Sequence, residues 1–369
     1  MEKTDPRQTI LIVDDSPENI DVLNTLLKPS YRIKATTSGE QGLRLATSWP
    51  VPDLILLDVM MPDLDGYEVC RRLKDDPATR KIPVIFITTQ GTIEDEYKGF
   101  ERGCVDYITK PVSPPIVKSR VATQLALFDQ NRALENKVAR RTKEIYFTQD
   151  IMILGLATLA EYRDNETGGH IMRTKNYIRL LGRYMSDRSI NGSLRLDRET
   201  VDLLEKSAPL HDIGKVGVRD SILQKPGKLT PEEFKEMKIH TICGYEALSR
   251  PLEILGLDIE DSFLNYAREI SLSHHEKWDG TGYPQGLKGK EIPFSARLMA
   301  IADVYDALIS KRVYKPPFPH AKAVDIIEQE AGAHFDPDVA TAFLAIEKDF
   351  REVALQYADH EEERQALKS

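Results

Sequence analysis

Histidine and carboxylate residues occur in short clusters through the second half of the sequence, and both residue types can bind metal ions. Glu166 and His170 stand four residues apart, so they share a face if this segment is helical. His211 is followed directly by Asp212, whose two carboxylate oxygens could bridge two ions while the imidazole binds one of them. The candidate ligands are Glu166, His170, His211, Asp212, His240, His274, His275 and Asp303. Each histidine alone is more often a hydrogen-bonded core residue, but their joint occurrence predicts a metal centre.

Asp303 lies in the run 301–308, where it is a carboxylate on an otherwise apolar helical stretch. If its side chain is buried it needs a partner, and a metal ion is a sufficient one. Nitrogen and oxygen ligands without thiolate suit iron, manganese, zinc or nickel, and the ligand types do not choose among these metals.

Residues near these clusters could contact a phosphate or shape a pocket. Lys215 comes four residues after His211 and could hold a phosphate oxygen. The candidate catalytic residues are therefore Asp212, Lys215 and His211. A glycine-containing turn after the paired histidines would let the backbone approach a ligand closely. This turn consists of Gly282, Tyr283 and Pro284.

Four short runs in the first 125 residues are apolar on both faces, and each leads into polar residues. They cover residues 10–13, 54–57, 84–87 and 105–108. Runs of this kind, separated by helical stretches, indicate a doubly wound α/β fold with a parallel sheet. The ligand site of such a sheet lies beyond the carboxyl ends of its strands, where the polar residues would meet.

Three carboxylates at these predicted strand ends, Asp14, Asp15 and Asp58, would repel one another unless a hard cation lay between them. Mg²⁺ takes oxygen ligands and couples to phosphate, so the trio predicts a magnesium site. Asp58 could then accept a phosphoryl group as a nucleophile. Lys110 would pair with the phosphate, and the Thr88 hydroxyl would donate a hydrogen bond to it.

This constellation resembles the receiver domain of two-component response regulators. The resemblance implies a flavodoxin-like, five-stranded parallel sheet, phosphorylation of Asp58 by a sensor histidine kinase, and a switch role for Tyr107. It also implies a cis peptide bond between Lys110 and Pro111. Thr89 departs from the family pattern, which usually has a small residue there, and a β-branched residue beside the pocket could alter phosphorylation or its lifetime.

The metal-ligand clusters resemble the HD-GYP family of cyclic dinucleotide phosphodiesterases. The matching segments are Glu-Thr-Gly-Gly-His (166–170), His-Asp-Ile-Gly-Lys (211–215), His-His-Glu (274–276), Gly-Tyr-Pro (282–284) and Ile-Ala-Asp-Val-Tyr-Asp-Ala (301–307). The resemblance implies an all-α HD-type domain that hydrolyses cyclic di-GMP to linear pGpG, with GMP as the product of a second cut. It also implies two divalent metal ions, or three where Glu166 is present, with iron as the first choice and manganese as the second.

The same resemblance implies roles for further residues. Arg312 and Lys315 match positions that contact phosphate and base, and the alternative is a solvated basic surface. The Gly-Tyr-Pro turn is expected to shape the pocket and to dock partner domains such as diguanylate cyclases. Phe335-Asp336-Pro337 is expected to be a helix start, since Asp caps helices and Pro fits the first turn.

Two other functions stay open at this point. An HD phosphohydrolase could act on another nucleotide or on cyclic GMP-AMP, and the Gly-Tyr-Pro segment does not separate cyclic GMP-AMP from cyclic di-GMP. An inert output domain could act through protein contacts, although loss of ligand residues would be its signature and none is lost.

A long helix is predicted over residues 114–150, with a seam of residues spaced alternately by four and three. The seam consists of Leu127, Asn131, Leu134, Val138, Arg141 and Ile145. Polar residues at such positions cost stability but fix register, so we expect a parallel homodimer through this helix. The alternative is a helix that packs on its own domains. The apolar run 151–160 is interpreted as the start of a buried helix.

The predicted organisation is a receiver domain at 1–125, a helical linker at 126–150 and an HD-GYP domain at 151–369. The 369 residues include 59 acidic and 50 basic side chains, a formal balance of −9, which argues against broad DNA binding. No apolar run approaches the roughly 20 residues of a membrane helix, and the first residues lack the order of a signal peptide. Widely spaced cysteines favour a reducing, cytoplasmic setting without disulfides.

Overall fold

The structure, a computed structural model, describes residues 7–89, 99–163, 168–188, 196–257, 262–311 and 316–369. Three residues with predicted roles, Glu166, Arg312 and Lys315, lie outside these ranges. The chain divides into two compact units, Met1–Lys143 and Glu144–Ser369. The division falls within the predicted linker.

The first unit is built on a five-stranded parallel sheet, as predicted. Its strands are β1 (Thr9–Val13), β2 (Arg32–Thr36), β3 (Leu54–Asp58), β4 (Val84–Thr88) and β5 (Asp106–Thr109). Their order across the sheet is β2-β1-β3-β4-β5, which is the flavodoxin-like order. The predicted apolar runs do not include β2, because this edge strand is only partly buried and carries Arg32 and Lys34.

Alternate residues of the central strands face opposite sides of the sheet, so both sides are apolar. In β1, Ile10 and Ile12 pack into one hydrophobic cluster, and Leu11 and Val13 pack into another. Helices that cover the sheet include α1 (Pro17–Leu27), α2 (Gly39–Thr47) and α3 (Gly66–Asp75). Burial on both faces explains why the strands are continuous apolar runs in the sequence.

A single long helix, α4 (Pro114–Glu161), follows the sheet. The predicted helix over 114–150 is therefore confirmed, but the run 151–160 continues this helix and does not start another. Gly155 is the only glycine in that run, and the run has no proline. One isolated glycine weakens a helix without ending it.

The rest of the second unit is helical, as predicted for an HD-type domain. The helices are α5 (Gly168–Arg188), α6 (Arg198–Ser207), α7 (Asp220–Leu223), α8 (Pro231–Met237), α9 (Ile239–Leu255), α10 (Phe263–Ser273), α11 (Phe294–Ile309), α12 (His320–Gln329), α13 (Pro337–Ala345), α14 (Glu347–Gln356) and α15 (Glu361–Lys368). Short 3₁₀ turns cover Ala208–Leu210, Ile213–Gly217 and Gly289–Glu291. Within the described ranges, none of the helices is long and apolar enough to cross a membrane.

The main core of this unit is aromatic and aliphatic, and it is built chiefly from α5, α11, α13 and α14. Tyr177 stacks on Phe350 with ring centroids 4.4 Å apart, and both side chains are fully buried. Asp336 accepts a hydrogen bond from the backbone N–H of Asp338 and caps α13, with Pro337 in the first turn. The predicted helix start at this position is confirmed.

The three cysteines are unpaired, as the sequence predicts. Burial raises the pKa of the Cys70 thiol to about 11 and that of Cys104 to about 12. Both thiols therefore stay protonated at neutral pH and behave as small apolar side chains of the sheet core.

Candidate metal centre

Seven of the eight predicted ligands lie within the described residues, and the structure brings them together in the second unit. Several of them lie at helix ends or in tight turns, so ligands that are distant in sequence converge. The elements that supply them are α5 (His170), the turns after α6 (His211 and Asp212), α9 (His240), the end of α10 (His274 and His275) and α11 (Asp303).

Two glycines let the turn that carries the His-Asp pair approach α9 closely. A Cβ atom on Gly214 would lie 1.9 Å from the carbonyl oxygen of His240 and 2.4 Å from the backbone nitrogen of Gly244. A Cβ atom on Gly244 would lie 2.1 Å from the hydroxyl of Ser271. Neither position accepts a larger residue without movement, so Gly214 lets the turn lie close to His240, and Gly244 lets α9 lie close to α10.

The described ligands form two groups. In each group, one ligand atom per residue lies within 4.8 Å of every other. The first group is Asp212, His240, His274 and His275. The second group is His170, His211 and Asp303. An ion in either group would have nitrogen and oxygen ligands, which suits iron, manganese and other borderline divalent ions.

Asp212 lies between the two groups. Its Oδ2 atom is 3.3 Å from Nε2 of His211, which belongs to the second group. Its Oδ1 atom is 3.4 Å from Nε2 of His240 and 3.6 Å from Nε2 of His274, which belong to the first group. One carboxylate therefore presents an oxygen to each group, and this is the arrangement of a bridging ligand.

Three buried atoms at this point have no hydrogen-bond partner among the described residues. They are Asp212 Oδ1, His240 Nε2 and His274 Nε2. Unsatisfied buried polar atoms are costly, so three of them converging on one another indicate a partner of another kind. A divalent cation suits both the carboxylate oxygen and the imidazole lone pairs, and the residues present therefore fit a metal ion.

Backbone carbonyls fix the orientation of three imidazole rings. The distances from Nδ1 to the carbonyl oxygen are 3.0 Å for His211 and Ala208, 2.7 Å for His240 and Met237, and 2.9 Å for His274 and Ile270. A carbonyl only accepts, so each Nδ1 carries the proton and each Nε2 presents its lone pair to the centre.

The charges at the centre also favour metal binding. Burial would raise the pKa of Asp212, but Lys215 and His211 outweigh it and hold this pKa well below its usual range. Lys215 Nζ lies 2.8 Å from Asp212 Oδ2. Burial lowers the pKa of His240 to about 4. At neutral pH the carboxylate is thus ionised and the imidazole neutral, which are the forms that bind a metal.

The second group contains one carboxylate, and one more approaches it. Asp303 Oδ1 lies 3.9 Å from Nε2 of His170, and 19% of the Asp303 side chain is exposed. Glu161 Oε1 also lies 3.9 Å from that nitrogen, and Glu161 is buried. Glu161 is not among the predicted residues, because it ends the long helix outside the recognised motifs. Glu166 falls outside the described residues, so a third ion stays a prediction.

Asp306 and Arg173 also belong to the centre, although neither is among the predicted residues. Asp306 Oδ2 lies 2.8 Å from Nδ1 of His170, so the carboxylate accepts that proton and leaves Nε2 to face the ligands. Arg173 donates to both oxygens of Asp306, at 2.6 and 3.0 Å. Burial would raise the pKa of Asp306, but Arg173 and His170 hold it well below the usual range. The helical spacing of three from Asp303 is the signal that could have found it.

The Gly-Tyr-Pro turn is held by Glu276, which belongs to the matching segment 274–276 but had no predicted role. Its carboxylate accepts hydrogen bonds from the backbone N–H groups of residues 285–287, at 2.7 to 3.1 Å. A Cβ atom on Gly282 would lie 2.3 Å from the backbone nitrogen of Lys277. The turn therefore folds directly onto the chain that follows the paired histidines, and it requires glycine at this position.

Tyr283 of the turn covers one of the metal ligands. Its ring centroid lies 4.8 Å from that of His275, with 29° between the ring planes. Burial raises the pKa of the Tyr283 hydroxyl, and the charges of Asp212 and Asp303 raise it further. The hydroxyl is therefore a hydrogen-bond donor at neutral pH. The Tyr283–Pro284 peptide bond is cis.

The structure also assembles the predicted phosphoacceptor site of the first unit. Asp14, Asp15 and Asp58 each offer an oxygen within 4.8 Å of the others. Lys110 Nζ lies 2.7 Å from Asp58 Oδ2 and 2.9 Å from Asp14 Oδ2. Burial raises the pKa of Asp58 against the effect of Lys110. A cation among the three carboxylates would relieve their mutual repulsion.

The other residues that were predicted for the receiver lie in β4 and β5 or directly after these strands. Thr88 ends β4 and is buried, whereas Thr89, the departure from the family pattern, is exposed. Tyr107 lies in β5 beneath the guanidinium of Arg120, whose carbon is 5.3 Å from the ring centroid. The Lys110–Pro111 bond is cis, as expected.

Both units match known protein families. Residues 10–122 match the response regulator receiver domain, and residues 178–339 match the HD domain. The fold and the site therefore define a response regulator whose second unit is a metal-dependent HD domain.

Three relatives match nearly the whole chain. A Vibrio cholerae protein named "Probable cyclic di-GMP phosphodiesterase" is 49% identical over 96% of this chain and 81% of its own length. A cyclic di-GMP phosphodiesterase of Thermotoga maritima is 35% identical over 96% of this chain and 94% of its own. The cyclic di-GMP phosphodiesterase response regulator RpfG of Xanthomonas campestris is 33% identical, over 97% and 92%. The chain belongs to this family of receiver and HD-GYP response regulators.

Proposed function

We propose that this protein hydrolyses cyclic di-GMP to linear pGpG at the metal centre of its second unit. The observation that carries the proposal is the position of Asp212, which offers one oxygen to each of two ligand groups. A bridged pair of ions is well suited to phosphodiester hydrolysis, because it stabilises both the attacking and the leaving oxygen. The names of the three relatives support the choice of substrate.

Divalent ions held there would activate water as the nucleophile and neutralise charge that develops on the phosphate. The chain's own residues prepare the site for this reaction. Asp212 stays ionised and links the two groups, and His211 directs Nε2 towards them. Lys215 lies against Asp212 and adds positive charge where the reacting phosphate would sit. Tyr283 covers His275 on one side of the centre.

We propose iron as the first choice of metal and manganese as the second. The all-nitrogen-and-oxygen ligand set supports either. Two ions would use the two described groups, and a third would need Glu166. On the substrate side, we propose that Arg312 and Lys315 contact phosphate and base.

For the first unit, we propose that a sensor histidine kinase phosphorylates Asp58, with Mg²⁺ held by Asp14, Asp15 and Asp58. Lys110 already contacts Asp58 and could pair with the phosphate. Thr88 and Tyr107 would then respond to the phosphoryl group. Phosphorylation would change turnover in the second unit, and Asp58→Asn should remove every phosphate-dependent change in activity. Unchanged phosphate dependence in that variant would contradict the proposal.

We propose that α4 forms a parallel homodimer. Val138, Ile145, Met152 and Leu159 recur at intervals of seven residues, and 63%, 59%, 61% and 65% of these side chains are exposed. A seven-residue repeat of exposed apolar side chains is the pattern of a coiled-coil seam. The proposed seam includes positions beyond the predicted ones, because the helix itself extends to Glu161.

We also propose that the receiver occupies residues 1–125, the linker 126–150 and the HD-GYP domain 151–369. We propose that the Gly-Tyr-Pro turn is a docking surface for diguanylate cyclase domains. We also propose that the protein is located in the cytoplasm. The absence of disulfides among Cys70, Cys104 and Cys243 supports a reducing compartment.

The catalytic proposal is tested by product analysis. Protein loaded with Fe²⁺ or Mn²⁺ in the absence of oxygen is incubated with cyclic di-GMP, and with cyclic GMP-AMP in parallel. We expect pGpG, with faster turnover of cyclic di-GMP. Absence of a linear product under both metals would refute the proposal. Faster cleavage of cyclic GMP-AMP would make cyclic GMP-AMP the preferred substrate. Turnover that survives His211→Ala combined with Asp212→Ala would refute the ligand assignment.

A further inference from the structure

A lysine lies between two aromatic rings beside the metal centre. Lys238, which immediately precedes α9, places its Nζ atom 4.7 Å from the ring centroid of Tyr283 and 4.8 Å from that of Phe234. The two rings lie nearly edge to face, with centroids 6.2 Å apart. Within the part of the chain that the structure describes, no carboxylate lies within ion-pair distance of this ammonium. Its charge is therefore available to a ligand.

Tyr283 connects Lys238 to the metal ligands. The Tyr283 ring contacts both His275, a member of the first ligand group, and the Lys238 ammonium. Lys238 is thus linked to the first ligand group through a single ring. Lys215 differs, because its Nζ atom contacts Asp212 directly at 2.8 Å. One lysine therefore lies at the reacting centre, and the other lies a short distance outside it.

We infer that Lys238 binds the phosphate of cyclic di-GMP that is not being hydrolysed, an inference that rests on the proposed function. A cyclic dinucleotide has two phosphodiesters, and only one can occupy the metal centre at a time. The second phosphate must lie to one side, where a positive charge would stabilise it. The two rings hold the ammonium of this flexible side chain in place, which lowers the entropy that binding costs. Phe234 is 45% exposed, so the site is open to solvent and to substrate.

The experiment compares Lys238→Met with the wild type on two substrates. Methionine keeps an unbranched apolar stem between the rings and removes the charge. The substrates are cyclic di-GMP and bis(p-nitrophenyl) phosphate, a diester with a single phosphate. Lys235→Met is the matched control, since Lys235 is an exposed lysine of the preceding helix α8.

We expect Lys238→Met to raise KM for cyclic di-GMP by roughly 10-fold and to change kcat by less than about 2-fold, because a remote charged contact contributes uniform binding. Hydrolysis of bis(p-nitrophenyl) phosphate and metal content should stay at wild-type values. Lys238→Arg should recover most of the lost affinity, and Lys235→Met should behave as the wild type.

Three outcomes would overturn the inference. A wild-type KM in Lys238→Met would leave the proposed function intact and remove the role of Lys238. A loss of kcat on both substrates together with a loss of metal would make Lys238 a positioning residue for His240, which is two residues away. Cleavage of the simple diester but not of cyclic di-GMP by the wild type would refute the proposed function and this inference with it.

Discussion

Nδ1 of His170 lies 2.8 Å from Oδ2 of Asp306, and Arg173 donates to the other oxygen of that carboxylate at 2.6 Å. All three side chains are buried. A carboxylate behind a ligating histidine fixes its tautomer and its orientation and makes it a stronger ligand. His170 therefore depends on a residue that does not itself face the ligand groups.

Asp306→Asn should weaken metal binding by the second ligand group by roughly 10- to 100-fold. The neutral amide holds the His170 proton less strongly and no longer balances the charge of Arg173. The free energy of unfolding should fall by about 2 to 3 kcal/mol, less than for a fully orphaned buried charge, because Asp359 still contacts Arg173. Metal content after dialysis against a chelator and thermal unfolding measure the two effects.

Asp325→Asn is the control for this prediction, because Asp325 is an exposed carboxylate on α12. It should leave metal content and Tm unchanged. Full metal content in Asp306→Asn after the same dialysis would show that His170 does not need the buried carboxylate.

Gly214→Ala should disturb the centre more than one methyl group suggests. The new Cβ atom would lie 1.9 Å from the carbonyl oxygen of His240, so the turn or α9 must shift. Overpacking of this kind costs about 1 to 3 kcal/mol, and the shift would separate Asp212 from His240. We expect a lower Tm and less than the wild-type amount of bound metal.

Gly155→Ala provides the matched comparison, because nothing lies within 4 Å of a Cβ atom at that helical position. Alanine there should be neutral or should stabilise α4 by up to about 1 kcal/mol. If Gly214→Ala matched Gly155→Ala in Tm and metal content, the close approach of the two elements would not matter for the site.

The parts of this structure that could be predicted are those whose signal is local. The apolar runs of β1, β3 and β4 are buried on both faces, so their composition alone indicates strands. The histidine clusters carry their chemistry in the residue types. By contrast, β2 is a partly buried edge strand with polar residues, so its sequence does not form a continuous apolar run.

Residues that act through a distant partner could not be predicted in this way. Asp306 is separated from His170 by 136 positions, and its role is visible only when α5 and α11 are packed together. The role of Glu276 is also visible only in the folded chain, because its three backbone partners lie in the loop beyond the turn. The position where α4 ends was predicted wrongly for another reason. The sequence has no strong helix breaker between residues 114–150 and the next eleven residues, so the helix continues to Glu161.

Glu276→Gln should loosen the Gly-Tyr-Pro turn. An amide nitrogen in place of one oxygen cannot accept from a backbone N–H, so at least one hydrogen bond to the loop is lost, at a cost of about 0.5 to 1.5 kcal/mol. Tyr283 would then leave His275 more easily, and KM for the substrate should rise.

Glu291→Gln is the control, because Glu291 is exposed and accepts from one backbone N–H, that of Lys288. An unchanged Tm and KM in Glu276→Gln would show that the carboxylate does not hold the turn.

Val138→Glu should dissociate the proposed homodimer. Val138 is 63% exposed in the single chain, and a parallel dimer would place the two copies of this residue face to face. Burial of a valine contributes about 1.5 to 3 kcal/mol. Both copies lose it and gain a like charge, so the dimer Kd should rise by about 100-fold or more. Sedimentation equilibrium measures this constant directly.

Lys137→Glu changes the charge of an exposed neighbour outside the seam, and it should stay dimeric at the wild-type Kd. Equal dissociation of the two variants would indicate a general charge effect. A monomeric wild type would contradict the proposed homodimer, and the exposed apolar side chains of α4 would then bind another partner.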